Sequence, residues 1–438
     1  MTRKQNLAAL CLGLVLLTAG LAAFLPQNHP EAAANAFVPA DLAWMLSASG
    51  LVLLMTPGLA FFYGGMVSKR NVISTMLQSF IALGVVSMLW YVVGFSLAFG
   101  DSLGGFIGNP LTFFMFNNVG TAPHPRLAPN LPLVLYAAFQ LKFAIITPAL
   151  ISGAFAERIR FWGYLLFMSL FSLLIYCPLA HWTWHPDGFL FKWGVLDFAG
   201  GTVVHISAGF AALAGALALG RRHTHREGHL HVAPNVPFIL IGTGLLWFGW
   251  FGFNAGSALA ANAVAVQAFF TTHLASAAAM LTWMLIEAVR GQRPSAVGAA
   301  IGAVVGLVAI TPAAGFVSYG PALFIGVVAA AVSAGAVHWK NRTTLDDTLD
   351  VFPCHGVGGI VGMVLTAVFA QEGGLATTGS ATLLLHHLGA LAFVSVFTFG
   401  GSFLIYKFTN LFIPIRVNAL HEADGLDVSQ HGETVLVA

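Results

Sequence analysis

Charge is scarce in this chain. Eighteen Lys and Arg and sixteen Asp and Glu amount to 8% of 438 residues, against roughly 25% in soluble domains. Such a chain cannot clothe a soluble surface, and with 58% hydrophobic residues and 48 glycines it reads as a polytopic membrane protein. A net charge of +2 gives no footing for nucleic acid. Cysteine is nearly absent: Cys11, Cys177 and Cys354 lie far apart in apolar runs, which excludes a disulfide framework or a cysteine metal site. No phosphate loop or nucleophile motif occurs, so covalent catalysis, a cofactor and a resident metal are not expected. A paired N-P-A motif is also missing, which argues against a water or polyol channel.

Long apolar runs are abundant. Eleven spans are predicted, at roughly 41–63, 74–99, 131–155, 161–182, 198–219, 236–255, 264–289, 296–312, 320–339, 353–370 and 383–409. With tilt, each suits a hydrocarbon core about 30 Å thick. Lys69, Arg70, Arg158, Arg160, Arg221, Arg222, Arg226, Arg290, Arg293, Lys340, Arg342, Lys407 and Arg416 fall at alternate ends, while only Arg126 and Lys192 fall opposite. Basic residues favour the cytoplasmic side, so the first span starts outside and the C-terminus is cytoplasmic. Spans one to five and six to ten then have opposite orientation, a five-plus-five inverted repeat with a final added helix.

Residues 1–25 carry Arg3 and Lys4 before an apolar run, the pattern of a signal peptide, with an uncleaved extra helix as the alternative. The transmembrane domain covers 38–410 and a cytoplasmic tail 411–438. The inner loop 221–234 holds His223, His225, His229 and His231, read as a solvated basic loop or as a metal tract. The outer loop 101–130 contains Gly, Asn and Pro and no charge run.

The most informative stretch is D-F-A-G-G-T-V-V-H, Asp197 to His205. Asp197 suits a helix N-cap, because a carboxylate satisfies orphan amides and the helix dipole together. The spacing recurs 150 residues later, where Asp347 precedes His355 by eight positions. A lone histidine on an apolar helix is usually a satisfied core residue. Two Asp–His units at matched positions of an inverted repeat instead suggest a shared site at the repeat interface. Pro353, just ahead of His355, fits an interrupted helix there.

Longer motifs carry a resemblance. L-M-T-P-G-L-A-F-F-Y-G-G-M-V at 54–67, F-A-I-I-T-P-A-L-I-S-G-A-F-A-E-R at 143–158, D-F-A-G-G-T-V-V-H at 197–205, W-F-G-F-N-A-G-S at 250–257, D-D-T-L-D-V-F-P-C-H-G-V-G-G-I-V-G at 346–362 and G-L-D-V-S-Q-H-G-E at 425–433 together resemble the ammonium transporter family (Amt/Mep/Rh), in its bacterial Amt form. The resemblance implies a multi-pass protein of the inner (plasma) membrane, a homotrimer among membrane lipids with one pore per subunit. It implies an outer vestibule for ammonium formed by Phe143, Trp184 and Phe253, with Ser257 as hydrogen-bond acceptor, and paired pore histidines at His205 and His355. Asp197 and Asp347 would support the vestibule and its cytoplasmic counterpart structurally, while Glu157 and Arg158 brace inner loops. Transport would proceed by ammonium binding, deprotonation and passage of neutral ammonia, with methylammonium as an analogue. The tail motif implies a trimeric PII signalling partner; a simple docking tail is the competing reading.

Three features depart from the family pattern. The loop after Trp184 is one residue longer, the T-V-L-V-A ending lacks an aromatic, and Lys142 stands beside Phe143 where a small or uncharged residue is expected. A Lys142 head inside the vestibule would repel substrate and favour an ammonium sensor. Pointing into a subunit interface or snorkelling outward, it would leave transport intact.

Overall fold

The computed structural model describes residues 3–33, 36–227 and 233–435. Ten helices are long and apolar enough to cross a membrane: α2 (Pro39–Met66), α3 (Val72–Phe99), α4 (Leu133–Phe155), α5 (Phe161–Lys192), α6 (Gly201–Leu219), α7 (Val236–Gly256), α8 (Ala263–Val289), α10 (Tyr319–Lys340), α11 (Phe352–Phe369) and α12 (Thr382–Phe412). α1 (Arg3–Phe24) precedes them, and α13 (Ala419–Asp424) follows. The span expected at 296–312 is α9 (Ala296–Ile310), a buried helix of 15 residues. At 1.5 Å per residue it is about 22 Å long, shorter than the other ten. Its glycines lie against α8, and Pro312 follows in the turn that ends it.

Local chemistry sets the helix starts. Asn235, Asn262, Ser295 and Asn418 each accept an amide of the first turn, from Phe238, Ala265, Gly298 and His421. Each side-chain oxygen satisfies a donor that has no intrahelical partner. Prolines near the starts of α2, α7 and α11 cost no hydrogen bond there. The helices are not uniform. Pi-helical turns interrupt them at Trp90–Gly94, Ser172–Tyr176, Gly201–Ile206 and Phe352–Val357. The last two contain His205 and His355.

Within this mostly helical chain the loop 101–130 carries short antiparallel pairs. Strands β1 (Ser102–Leu103) and β2 (Ile107–Gly108) pair antiparallel, as do β3 (Pro123–His124) and β4 (Ala128–Pro132). Residues after α1 lie on this loop: Asn28 bonds both Asn117 and Asn118, and the His29 ring bonds the Val119 carbonyl.

α2 and α7, the first members of the two predicted halves, pack closely through their glycines. A Cβ on Gly242 would lie 2.3 Å from the Phe62 nitrogen. With no driving force from water between apolar helices, such close backbone approach supplies the packing.

On the predicted inner face, charges are buried and paired. Arg222 bonds Glu157 at 2.7 Å and Asp346 at 2.9 Å, and Lys340 bonds Asp350 at 2.6 Å. Arg158 is fully buried, reaching the Thr348 hydroxyl and the carbonyls of Ala154 and Asp346. Glu157 and Arg158 thus brace this face, as anticipated. The tail folds back upon it: Asp427 caps the start of α3 through the amides of Ile73 and Ser74, and buried Leu426 donates its amide to Asn71. His223 pairs with Glu227 and His225 accepts from Arg221; His229 and His231 lie outside the described residues. Among the described residues no group of three His, Cys, Asp or Glu side chains could hold a metal.

Candidate functional site

A cavity of about 330 Å³ opens above the α6 helix start, lined by Phe143, Trp184, Asp197 and Ser257 among others. Tyr136, Gln140 and Phe143 supply one wall from a single stripe of α4. Lys142 is not in that stripe. At about 100° per residue it points some 100° from Phe143 and 160° from Gln140. The face it shares with Val134, Ala138 and Leu141 is only partly buried.

Trp184 is held edge-on to Phe143, centroids 5.8 Å apart, and its indole N–H donates to the Asp197 carbonyl at 3.1 Å. Phe143 in turn stacks on Phe253 at 4.1 Å; Phe253 is fully buried behind it and does not line the cavity. Ser257 donates its hydroxyl hydrogen to the Phe253 carbonyl at 2.9 Å. Its oxygen keeps its lone pairs and can accept a donor entering the cavity.

Asp197 does cap, but not a regular α-helix. Gly200 adopts φ +117°, a backbone state that suits glycine, and the carboxylate wraps the resulting turn. One oxygen accepts from Gly200 and Gly201 at 2.8 and 2.6 Å; the other accepts the Thr202 amide and hydroxyl at 2.7 and 2.5 Å. The Gly200 carbonyl then receives the amides of Val204 and His205. Asp347 repeats the device, taking the amides of Val351 and Phe352 at 3.1 and 2.7 Å, just before the pi-helical turn with His355. Burial lifts the Asp347 carboxyl to about 6, against the opposing pull of Lys340.

The two histidines, 150 residues apart in sequence, meet: Nδ1 of His355 lies 3.3 Å from Nδ1 of His205. One ring donates and the other accepts, so the pair shares one hydrogen in that contact. Glycine permits the approach of the two helices, since a Cβ on Gly209 would fall 2.3 Å from Gly356. The His205 ring is stacked on Trp250 at 5.3 Å and lies 6.1 Å from Phe253. Its Nε2 is buried and meets no partner among the described residues. Ser257 and Trp184 thus line the cavity, and the Phe143–Phe253 stack lies between Trp184 and the buried imidazole pair.

Sequence reasoning missed three supports. Trp250, the first residue of W-F-G-F-N-A-G-S, fixes the His205 ring and is itself tied to Thr311 at 2.9 Å. Thr202 completes the Asp197 cap. His387, fully buried on α12, accepts the Leu196 amide at 3.0 Å and binds the Met363 carbonyl, anchoring the cavity rim. The motifs signalled the first two by proximity; for His387 the only signal was an intramembrane histidine.

The family model described as Ammonium Transporter Family matches residues 43–436. The chain is 45% identical over 404 residues to a putative ammonium transporter of Methanothermobacter thermautotrophicus, covering 90% of this chain and 97% of that one. It is 44% identical over 430 residues to an ammonium transporter of Mycobacterium tuberculosis, covering 90% and 89%. Among solved structures, Mep2 of Saccharomyces cerevisiae superposes with a TM-score of 0.83 at 36% identity, covering 88% of this chain and 89% of that one. A structure titled Sensor Amt Protein superposes with a TM-score of 0.82 at 30% identity, covering 90% and 98%. The chain is a multi-pass membrane protein and belongs to the ammonium transporter family.

Proposed function

We propose that this protein recruits ammonium at the outer cavity, removes a proton, and passes ammonia along the paired histidines. The observation that carries the reading is the Nδ1–Nδ1 contact of 3.3 Å beneath the stacked phenylalanines. Ammonium loses water on entering. Trp184 and Phe143 repay part of that loss, each aromatic face contributing about 0.5–2 kcal/mol, and Ser257 accepts one N–H. Deeper, a bare cation meets apolar walls and a large desolvation cost. Ammonia carries no such penalty, and uncharged imidazoles offer it hydrogen bonds without trapping it. The shared hydrogen of the pair also suits a proton relay.

In this reading Asp197 and Asp347 shape the site without touching substrate. Methylammonium, which keeps its charge and N–H donors, enters the same cavity. The protein works as a homotrimer in the plasma membrane with its tail in the cytoplasm, and a PII signalling protein is the proposed regulator at the inner face. The test is ammonium-evoked current on solid-supported membranes bearing the reconstituted protein. A current that saturates with ammonium and vanishes in protein-free vesicles is expected. The similarity to a structure titled Sensor Amt Protein supports a second reading, binding with little transport. Saturable ammonium binding without current or internal pH change would select it. Lys142, turned away from the cavity, does not favour that alternative.

A further inference from the structure

Two ionisable side chains stand on the membrane-facing surface, away from the proposed pore. Lys142 is half-buried on α4, and among the described residues its ammonium has no hydrogen-bond or ion-pair partner. It lies nine residues from Leu133, about 14 Å along the helix axis. That is close to the middle of a core about 30 Å thick, too deep for the lysine stem to bring its head to either surface in full. His273 is exposed on α8, ten residues from Ala263 and thus about 15 Å along its helix. Its ring rests against Trp247 at 5.4 Å and Phe251 at 6.2 Å, and no hydrogen bond to the described residues engages its nitrogens.

Each side chain offers what the other lacks. A charge in hydrocarbon is costly without a partner, and polar groups at this depth face a protein interior. The ammonium needs an acceptor; a neutral imidazole presents one lone pair. α4 and α8 start at the same predicted side of the membrane, so the two groups sit at matching depth. Within one chain no hydrogen bond joins them among the described residues: α4 packs on α2, α2 on α7, and α7 on α8. Two different faces that complement each other at equal depth define a head-to-tail contact, the kind that builds a ring when its rotation closes.

We propose that in the assembled protein Lys142 of one copy donates a hydrogen bond to the His273 imidazole of the next copy. The proposal rests on the self-association in the reading above. It makes the face of α4 carrying Val134, Ala138 and Leu141 one side of the contact, and the exposed face of α8 with Phe269 the other.

The test is a photocrosslink in the full-length protein, with benzoylphenylalanine replacing Lys142. Illumination in membranes is expected to give a covalent dimer whose crosslinked peptide comes from residues 263–289. A dimer crosslinked through any other helix overturns the proposal, as does an assembled oligomer that yields no dimer. A second measurement uses Lys142→Met, His273→Leu and the double variant, with oligomer dissociation followed by mass photometry during detergent titration. Each single change is expected to raise dissociation several-fold and the double change to add little. Independent, additive losses overturn the pairing. So does dissociation that answers to anionic lipid in the wild type but not in Lys142→Met, which would assign the ammonium to a headgroup. A wild-type chain that is monomeric in bilayers also sinks it, yet ammonium current from those monomers would leave the transport reading standing.

Discussion

Removing the Asp197 carboxylate tests how the site is built. In Asp197→Ala, three backbone amides (Gly200, Gly201 and Thr202) and the Thr202 hydroxyl lose their acceptor. A buried donor left unsatisfied costs about 1–3 kcal/mol. Asp197 borders the outer cavity, so water can reach part of the turn, and the lower end of that range applies. The expected loss of stability is about 3–5 kcal/mol. Asp197→Asn should lose about half as much. Its carbonyl oxygen can serve one edge of the turn, while its amide hydrogens meet donors on the other. Function should fall further than stability, because the Gly200 carbonyl holds the amides of Val204 and His205. A loosened turn moves the His205 ring off its 3.3 Å contact. The assay pairs SDS-induced unfolding in mixed micelles with ammonium-evoked current in proteoliposomes. An Ala variant that unfolds within about 1 kcal/mol of wild type and conducts normally would refute the reasoning.

His205→Ala and His355→Ala, in correctly assembled protein, should each change the conduction rate or the ammonium selectivity by at least tenfold, about 1.4 kcal/mol in the barrier. Wild-type rate and selectivity in both would remove the pair from the pore. Asp347 has a folded value of about 6 against an ordinary 3.8, so folding favours its protonated form. Its contribution is therefore fully present below pH 3.8 and is lost as pH rises through about 6, a change on the order of 2–3 kcal/mol. Comparing melting of wild type and Asp347→Asn from pH 4 to pH 7 should reveal that decline only in the wild type; parallel profiles would contradict it. Asp346→Ala leaves buried Arg222 with Glu157 as its remaining acidic partner, and should cost about 3–5 kcal/mol. Unchanged unfolding on SDS titration would show that water repays the lost pair.

Much of this protein is legible in one dimension. Apolar runs, the placement of basic residues and the repeated Asp–His spacing depend on the chemistry of a hydrocarbon solvent, which each segment meets by itself. Ten spans and the motifs of the proposed site could be read on that basis. Segment length alone could not show that the helix within 296–312 is only 15 residues long and packs its glycines on α8. Nor could it show that the turns around His205 and His355 are pi-helical, or that Asp197 serves four hydrogens at once. Those depend on which backbone lies opposite. Gly209 and Gly356 are unremarkable glycines until their helices cross, and Trp250 is one aromatic among many until it lies flat on His205. Lys142 shows the limit most plainly. The letters on either side left its direction open, and only the helix phase relative to its packed neighbours turned it from the cavity toward the outer face of the bundle.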